Sequence, residues 1–220
     1  MPRTGPFGSE HGRYEDWFAR HAAAYQSELL AVRALLPVQG FGLEIGVGTG
    51  RFAAPLGVRI GIDPAGPMLR YAAERGIRVV QGVAEALPFR DAAFDYALAV
   101  TTICFVDDPH RMLVEASRVL RPGGALCIGF IDRESQLGRS YLAHRAQNGY
   151  YRSAVFYSSE EVAALLAEAG FRDPAWMQTL SGPLEGMTRP EPAREGYGDG
   201  GFAVVRALKG QDLGVGVRRG

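Results

Sequence analysis

At 220 residues, with 47% hydrophobic and 22% charged, the chain has an ordinary globular composition and the length for one well-filled core. Its 24 basic and 24 acidic residues cancel, which argues against a nucleic-acid backbone as partner, and no apolar run approaches the ~18 residues a membrane span requires. Cys104 and Cys127 lie in apolar segments without a C-x-x-C pair, so neither a disulfide framework nor a thiolate zinc site is expected, and no metal site is assigned.

The first 13 residues are polar and glycine-rich, unlike a basic-then-apolar leader, and the cytoplasm is the expected compartment. Tyr14, Phe18, His21, Tyr25, Leu29, Val32 and Leu36 recur at helical spacing and predict one helix over 14–36, ended by Pro37 and Gly40. Apolar strands follow at 42–45, 58–62, 77–81, 94–100 and 125–131. Helical patterns fill 64–75 and 109–120; Asp108 caps the second, Pro109 suits its first turn, and Pro122-Gly123-Gly124 stops it. Ser158 to Glu161 reads as a capping box opening a helix that runs to Gly170. Strand alternating with helix predicts an α/β protein, a parallel sheet with helices on both faces.

Two stretches interrupt that rhythm. Residues 132–153 form an insertion rich in arginine, tyrosine and small polar residues, and 182–200 is a long loop rich in Pro, Gly and Glu. Beyond Lys209 the glycine-rich tail, 210–220, is expected to be loose.

The chemistry concentrates at Glu44-Ile45-Gly46-Val47-Gly48-Thr49-Gly50, a glycine turn leaving the first strand. Glycines there let backbone approach a ligand without side chains intervening, and Asp63, ending the second strand, can accept hydrogen bonds from both hydroxyls of a ribose. A dinucleotide site wants G-x-G-x-x-G, whereas the third glycine position from Gly46 is Arg51. The E-x-G-x-G-x-G spacing resembles motif I of the class I S-adenosylmethionine-dependent methyltransferases, in the methyltransferase type 11 or ubiquinone/menaquinone-biosynthesis-like group. The following segments keep the family's order. Gly61 to Leu69 resembles the ribose-binding segment, Gly82 to Phe89 the adenine-binding segment, and Val119 to Gly124 the turn before the fifth strand.

The resemblance implies a Rossmann-like three-layer sandwich with a seven-stranded, mostly parallel sheet of order 3-2-1-4-5-7-6, the last strand antiparallel. Strands six and seven then fall near 176–180 and 202–208, and 1–209 forms one methyltransferase domain: helix 14–36, core 41–131, lid-like insertion 132–153, C-terminal part 154–209. It also implies S-adenosyl-L-methionine as cofactor, with Tyr25, Glu44, Gly46, Val47, Gly48, Gly50, Asp63, Pro64, Met68, Ala84, Glu85 and Thr101 around it. Several of these have a purely structural alternative: Glu44 as a backbone hydrogen-bonding group, Asp63 as a helix cap, Met68 as core, and Thr101 and Thr102 as local backbone partners. The family commonly carries an aspartate where Val83 stands, so a polar contact to adenine falls to the Ala84 backbone or Glu85.

The partner implied is a small-molecule acceptor, with oligomeric state open. Tyr14, Trp17 and His21 are candidates to line its pocket, and the topology sets Glu185, Arg189, Arg194 and Tyr197 near its rim. The catalytic assignment is open, with Tyr14, His21 and Asp132 as candidates. Two rival readings are a nicotinamide oxidoreductase and a non-catalytic donor-binding protein. Against the first stand Arg51 and the absence of Tyr-x-x-x-Lys, since Val205 precedes the lone Lys209 by four residues.

Overall fold

The computed structural model describes residues 11–145 and 151–210, with side chains from Glu15 onward. Apart from Gly210, the tail expected to be loose lies outside the described residues. The first helical stripe is two helices, α1 (His11–Arg20) and α2 (Ala22–Leu35), rather than one. The interruption is confined to His21, with φ −115° and ψ 42°. Hydrogen bonds from His21 N to Trp17 O (2.9 Å) and from Tyr25 N to His21 O (3.0 Å) carry across it, so the chain bends without exposing two helix ends.

Strand and helix then alternate through β1 (Gly42–Ile45), α3 (Ala53–Leu56), β2 (Ile60–Asp63), α4 (Gly66–Glu74), β3 (Arg78–Gln81), β4 (Phe94–Val100), α5 (Pro109–Val119) and β5 (Leu120–Ile131). The insertion contributes α6 (Gln136–Ala143) and a 3₁₀ turn, Tyr151–Ser153. α7 (Ser159–Glu168), β6 (Phe171–Thr179), β7 (Arg194–Glu195) and β8 (Phe202–Lys209) complete the chain. The caps are as read: Asp108 accepts from Arg111 N, and Ser158 and Glu161 form a reciprocal capping box.

The sheet order is β3-β2-β1-β4-β5-β8-β6-β7, the expected family order with one short strand added. β1, β2, β3, β4 and β5 pair in parallel, and β8 runs antiparallel between β5 and β6. The added β7 is two residues that fold back on Met177 and Gln178. β6 begins earlier than the predicted 176–180 because Pro174 and Asp173 (φ 52°) sit in a register irregularity that hides its first half.

Alternate residues of each strand feed two cores. On one face Leu98 and Val100 pack with Ala31 and Val32 of α2 and Leu69 of α4. On the other, Ala97 and Ala99 pack with Met112 and Leu113 of α5 and Val162 and Leu166 of α7. The result is a three-layer sandwich whose strand order reverses between β1 and β4, the place where open parallel sheets open a crevice. Among the described residues no helix is long and apolar enough to cross a membrane.

Candidate functional site

The glycine turn after β1 is built from left-handed backbone: φ is 73° at Gly46, 51° at Gly48 and 80° at Gly50. Gly46 also needs to lack a side chain, since a Cβ there would lie 2.3 Å from Thr102 Oγ1. That hydroxyl donates to Ile45 O (3.0 Å), tying the end of β4 to the end of β1. Asp63 closes the neighbouring strand with Oδ2 accepting from Gly48 N (2.9 Å) and Oδ1 from Ala65 N (2.8 Å). Each oxygen keeps lone-pair capacity on the open side. Burial pushes the Asp63 carboxyl up, opposed by the two backbone N–H groups.

Glu44 lies beneath the turn, 1% exposed. Burial pushes its carboxyl well above the usual range; the Ala53 N–H opposes this and the neighbouring Asp63 adds to it. Its Oε2 has no hydrogen-bond partner among the described residues. A buried carboxylate oxygen left unmatched beside a glycine turn fits a ligand carrying its own donor groups.

Arg51 straps the N-terminal helices onto this turn. Its guanidinium pairs with Glu15 of α1 and lies over the Phe18 ring, 5.1 Å from the centroid. Arg75 joins the same carboxylate at 2.7 Å and donates to Thr49 O at 2.7 Å. Tyr25 of α2 donates its hydroxyl to the Arg51 carbonyl. Burial alone would raise the Glu15 carboxyl, but the hydrogen bonds from Arg51 and Arg75 outweigh it and hold the group below the usual carboxylate range. A glycine at position 51 would supply none of this.

Between the turn and the helices lies a cleft with about 1320 Å³ of empty space, counting its open mouth, ample for a nucleoside cofactor and a small second ligand. Of the residues expected around the cofactor, Gly46, Gly48, Asp63, Pro64, Met68, Ala84, Glu85 and Thr101 line it. Glu85 is also engaged structurally, its Oε1 accepting from Asp107 N at 2.8 Å. Thr101 holds φ 50°, a strained conformation for a β-branched residue, at the point where β4 meets the cleft.

Four expected residues are not part of the lining. Tyr25 is packed edge-on between Phe18 and Phe52 with its hydroxyl spent on Arg51. Val47 turns its side chain toward Gly61, Gly50 backs onto Ile77 and Ala72, and Glu44 sits below the floor. His21 packs against Trp17, ring centroids 5.1 Å apart, without reaching the cleft. Tyr14 lies on α1 and its side chain is outside the described residues.

Asp132, a catalytic candidate from the sequence, is not among the residues lining the cleft. It is 3% exposed, with Oδ1 accepting from Glu134 N at 2.8 Å and Oδ2 from Ser159 N at 3.1 Å and from the Ser159 hydroxyl. Its carboxylate anchors the start of α7. Of Glu185, Arg189, Arg194 and Tyr197, set near the rim by the topology, none is among the cleft-lining residues, although Glu185 interacts with the cleft-lining Tyr141. Arg194 belongs to β7, and Tyr197 packs on Trp176 and donates to Glu160 Oε1 at 2.9 Å.

With this geometry in view, the relatives are informative. Residues 43–128 match the family model described as "Methyltransferase domain". A solved structure from Thermotoga maritima, named as a SAM-dependent methyltransferase and possible histamine N-methyltransferase, is 49% identical with a TM-score of 0.90, covering 92% of this chain and 97% of its own. An uncharacterized protein of Methanocaldococcus jannaschii is 41% identical over 89% of this chain and 95% of its own length. The malonyl-[acyl-carrier protein] O-methyltransferase of Methylococcus capsulatus is 31% identical over 75% of this chain and 64% of its own length. The chain belongs to the class I S-adenosyl-L-methionine-dependent methyltransferases.

The methyltransferase's cleft has a second half, of whose lining residues the sequence reading named Trp17 for the acceptor pocket but not the rest. Beyond Thr101 it is walled by Trp17 and Phe18 of α1, Phe105, and Tyr141 and Tyr151 of the insertion. Tyr141 and Tyr151 stack at 4.9 Å, and Tyr151 stacks on Phe105 at 6.0 Å. Glu28 of α2 also lines this half, although it is 4% exposed. The sequence did carry a signal for it. The buried face of α2 is Ala24, Ser27, Glu28, Ala31 and Val32, a helical stripe adjacent to the one traced through Tyr25 and Leu29, with two polar residues at its centre.

Proposed function

We propose that this enzyme transfers the methyl group of S-adenosyl-L-methionine to a small-molecule acceptor held in the aromatic half of the cleft. The observation that carries the reading is the continuity of the cleft: it runs from the glycine turn and Asp63, past Thr101, to Trp17, Phe105, Tyr141 and Tyr151. On this reading Asp63 accepts from both ribose hydroxyls, Met68 and Pro64 flank the nucleoside, and the Ala84 backbone and Glu85 face the adenine. The backbone of Gly46, Val47, Gly48, Gly50 and Thr101 serves the methionine portion with Glu44 buried beneath it, while Tyr25 braces the wall through Arg51.

The donor supplies an electrophilic methyl on a sulfonium that becomes neutral on transfer. No negative charge builds on that leaving group, so the protein's task is to align acceptor and donor and keep water out. Known relatives do not choose the acceptor, since one is named for an amine and another for a carrier-bound malonyl group. Residues 1–209 are taken as one methyltransferase domain with 132–153 as its lid, and the cytoplasm as its compartment, consistent with two buried cysteines outside any disulfide.

Calorimetric titration with S-adenosylhomocysteine tests the donor assignment. Asp63→Ala is expected to weaken binding at least about 30-fold, the loss of two charge-assisted hydrogen bonds. A folded Asp63→Ala protein with affinity within about twofold of wild type would overturn the ribose assignment.

A further inference from the structure

Glu28 is the one cleft-lining carboxylate for which no hydrogen bond or ion pair is found among the described residues. Asp63 and Glu85, the other acids lining the cleft, are held by backbone N–H groups. Its position is nonetheless fixed. The adjacent Ser27 donates to Ala23 O (2.9 Å) and accepts from Glu191 N (2.8 Å), so the loop before β7 locks the rotation of α2 and keeps Glu28 aimed at the cleft. An apolar residue of similar volume would pack here without the desolvation cost. A buried carboxylate without a partner from the protein at a ligand cavity is a functional-site signature, because a ligand can provide what the protein omits.

The surroundings specify that ligand. The titratable groups interacting with Glu28 are Tyr25, one turn earlier on α2, and Tyr141 on α6. Both phenols are pushed up by burial, Tyr25 to about 12, so neither is a countercharge near neutrality. Tyr25 further feels Arg51, Arg75 and Glu44, and Tyr141 feels Glu185. Both arginines are committed to Glu15. The complement of a lone carboxylate beside Trp17, Phe105, Tyr141 and Tyr151 is a small cation, drawn by the charge and by the faces of the rings.

We propose that Glu28 recognises the methyl acceptor and takes a proton from it, and that this acceptor is a small amine. The assignment rests on the methyl-transfer reading of the cleft. An amine arrives as an ammonium ion, whose nitrogen has no free lone pair. Glu28 as carboxylate accepts one N–H proton, leaving a neutral carboxylic acid and a neutral amine. The freed lone pair forms the N–C bond while the C–S bond breaks with its electron pair going to sulfur, and the product is a methylated ammonium ion. The proton on Glu28 returns to solvent.

Burial pushes the Glu28 carboxyl up to about 8, so near neutrality the free enzyme holds it protonated. Ammonium binding then displaces about one proton at pH ~7, and amine affinity falls about tenfold for each pH unit below ~8. The decisive measurement is titration of the S-adenosylhomocysteine-saturated enzyme with n-butylamine, 2-phenylethylamine and tryptamine, each against its matched alcohol, in buffers of differing ionisation enthalpy. At least one amine is expected to bind ~20-fold or more tightly than its alcohol, releasing close to one proton. Glu28→Gln is expected to lose that preference and the proton release while keeping S-adenosylhomocysteine affinity within about twofold.

Equal binding of amines and alcohols, undiminished amine binding by Glu28→Gln, or amine binding without proton release would overturn the proposal. The proton count is read on wild-type protein, so it stands even if the variant folds poorly. If S-adenosylhomocysteine fails to bind wild type, the donor reading falls, and the same titrations without it still judge Glu28.

Discussion

The two halves of the cleft are built by different means. The donor half comes mostly from the stretch of chain between β1 and the loop after β3, joined by Thr101 at the end of β4, and it leans on backbone: left-handed glycines, and N–H groups that hold Asp63 at 2.8–2.9 Å. The acceptor half is assembled from side chains on α1, α2, the segment after β4 and the insertion, brought together only by folding. The acids lining the donor half, Asp63 and Glu85, are held by backbone N–H groups, with one oxygen of Glu44 unmatched beneath them, whereas in the acceptor half Glu28 has no partner among the described residues. A shared cofactor can be held by backbone geometry that tolerates little change; a particular acceptor is met by side chains that can be exchanged without disturbing the sheet.

The largest effect expected from breaking this contrast is on stability against pH. Glu28 is raised by burial from 4.5 to about 8 in the folded protein. Between those values the folded state retains a proton that the unfolded state has lost, so this group's contribution to stability declines as pH rises and levels off above the folded value. Glu28→Gln removes that dependence. Its advantage over wild type is expected to grow from near zero at pH ~4.5 to roughly 5 kcal/mol at pH ~9. Glu44 and Asp63 are raised too, but they remain in both proteins and cancel in the difference. Urea denaturation of both proteins across that range checks it. A difference that stays constant with pH would show that Glu28 is already ionised or paired.

A second variant separates anchoring from chemistry at the end of β5. Asp132 receives two backbone N–H groups and the Ser159 hydroxyl, all of which expect a carboxylate. Asp132→Asn replaces one acceptor oxygen by a donor, and a loss of about 2–3 kcal/mol in stability is expected. Affinity for S-adenosylhomocysteine, measured well below the melting temperature, should stay within about twofold. Unchanged stability with weakened donor binding would move Asp132 back into the cleft.

The same contrast explains what could be read beforehand. The turn from Glu44 to Gly50, Asp63 and the order of strands were legible because backbone conformation at a phosphate-free nucleoside site constrains residue type at fixed spacing. Arg51 was legible only negatively, as a missing glycine; its pairing with Glu15 across the fold leaves no local pattern. Tyr141 and Tyr151 sit in a segment without periodicity, and only the tertiary stack with Phe105 gives them a place. Glu28 was obscured by a stripe traced through Tyr25 and Leu29, both half-buried, one position away from the face that packs inward. Loop 182–200 is set near the rim because β6 runs parallel to β5; its first part stays close to the cleft, with Glu185 acting on Tyr141, and its later part folds back through β7 along the outer edge.

That loop yields the smallest expected effect and the sharpest test of where the acceptor half ends. Tyr197 reaches Glu160 on the outer surface and rests on Trp176, while Glu191 in the same loop reaches inward to Ser27. If the loop matters only as a brace for α2, removing the Tyr197 hydroxyl deletes one exposed hydrogen bond and leaves ring packing in place. Tyr197→Phe should then change stability by no more than about 0.5 kcal/mol and leave amine and S-adenosylhomocysteine affinities unaltered. Ser27→Ala removes the inward contact instead, leaving the part-buried Glu191 N–H without its acceptor. It should weaken amine binding several-fold while sparing S-adenosylhomocysteine, because α2 carries Glu28 but no part of the glycine turn. Weakened amine binding in Tyr197→Phe would return the outer loop to the acceptor site.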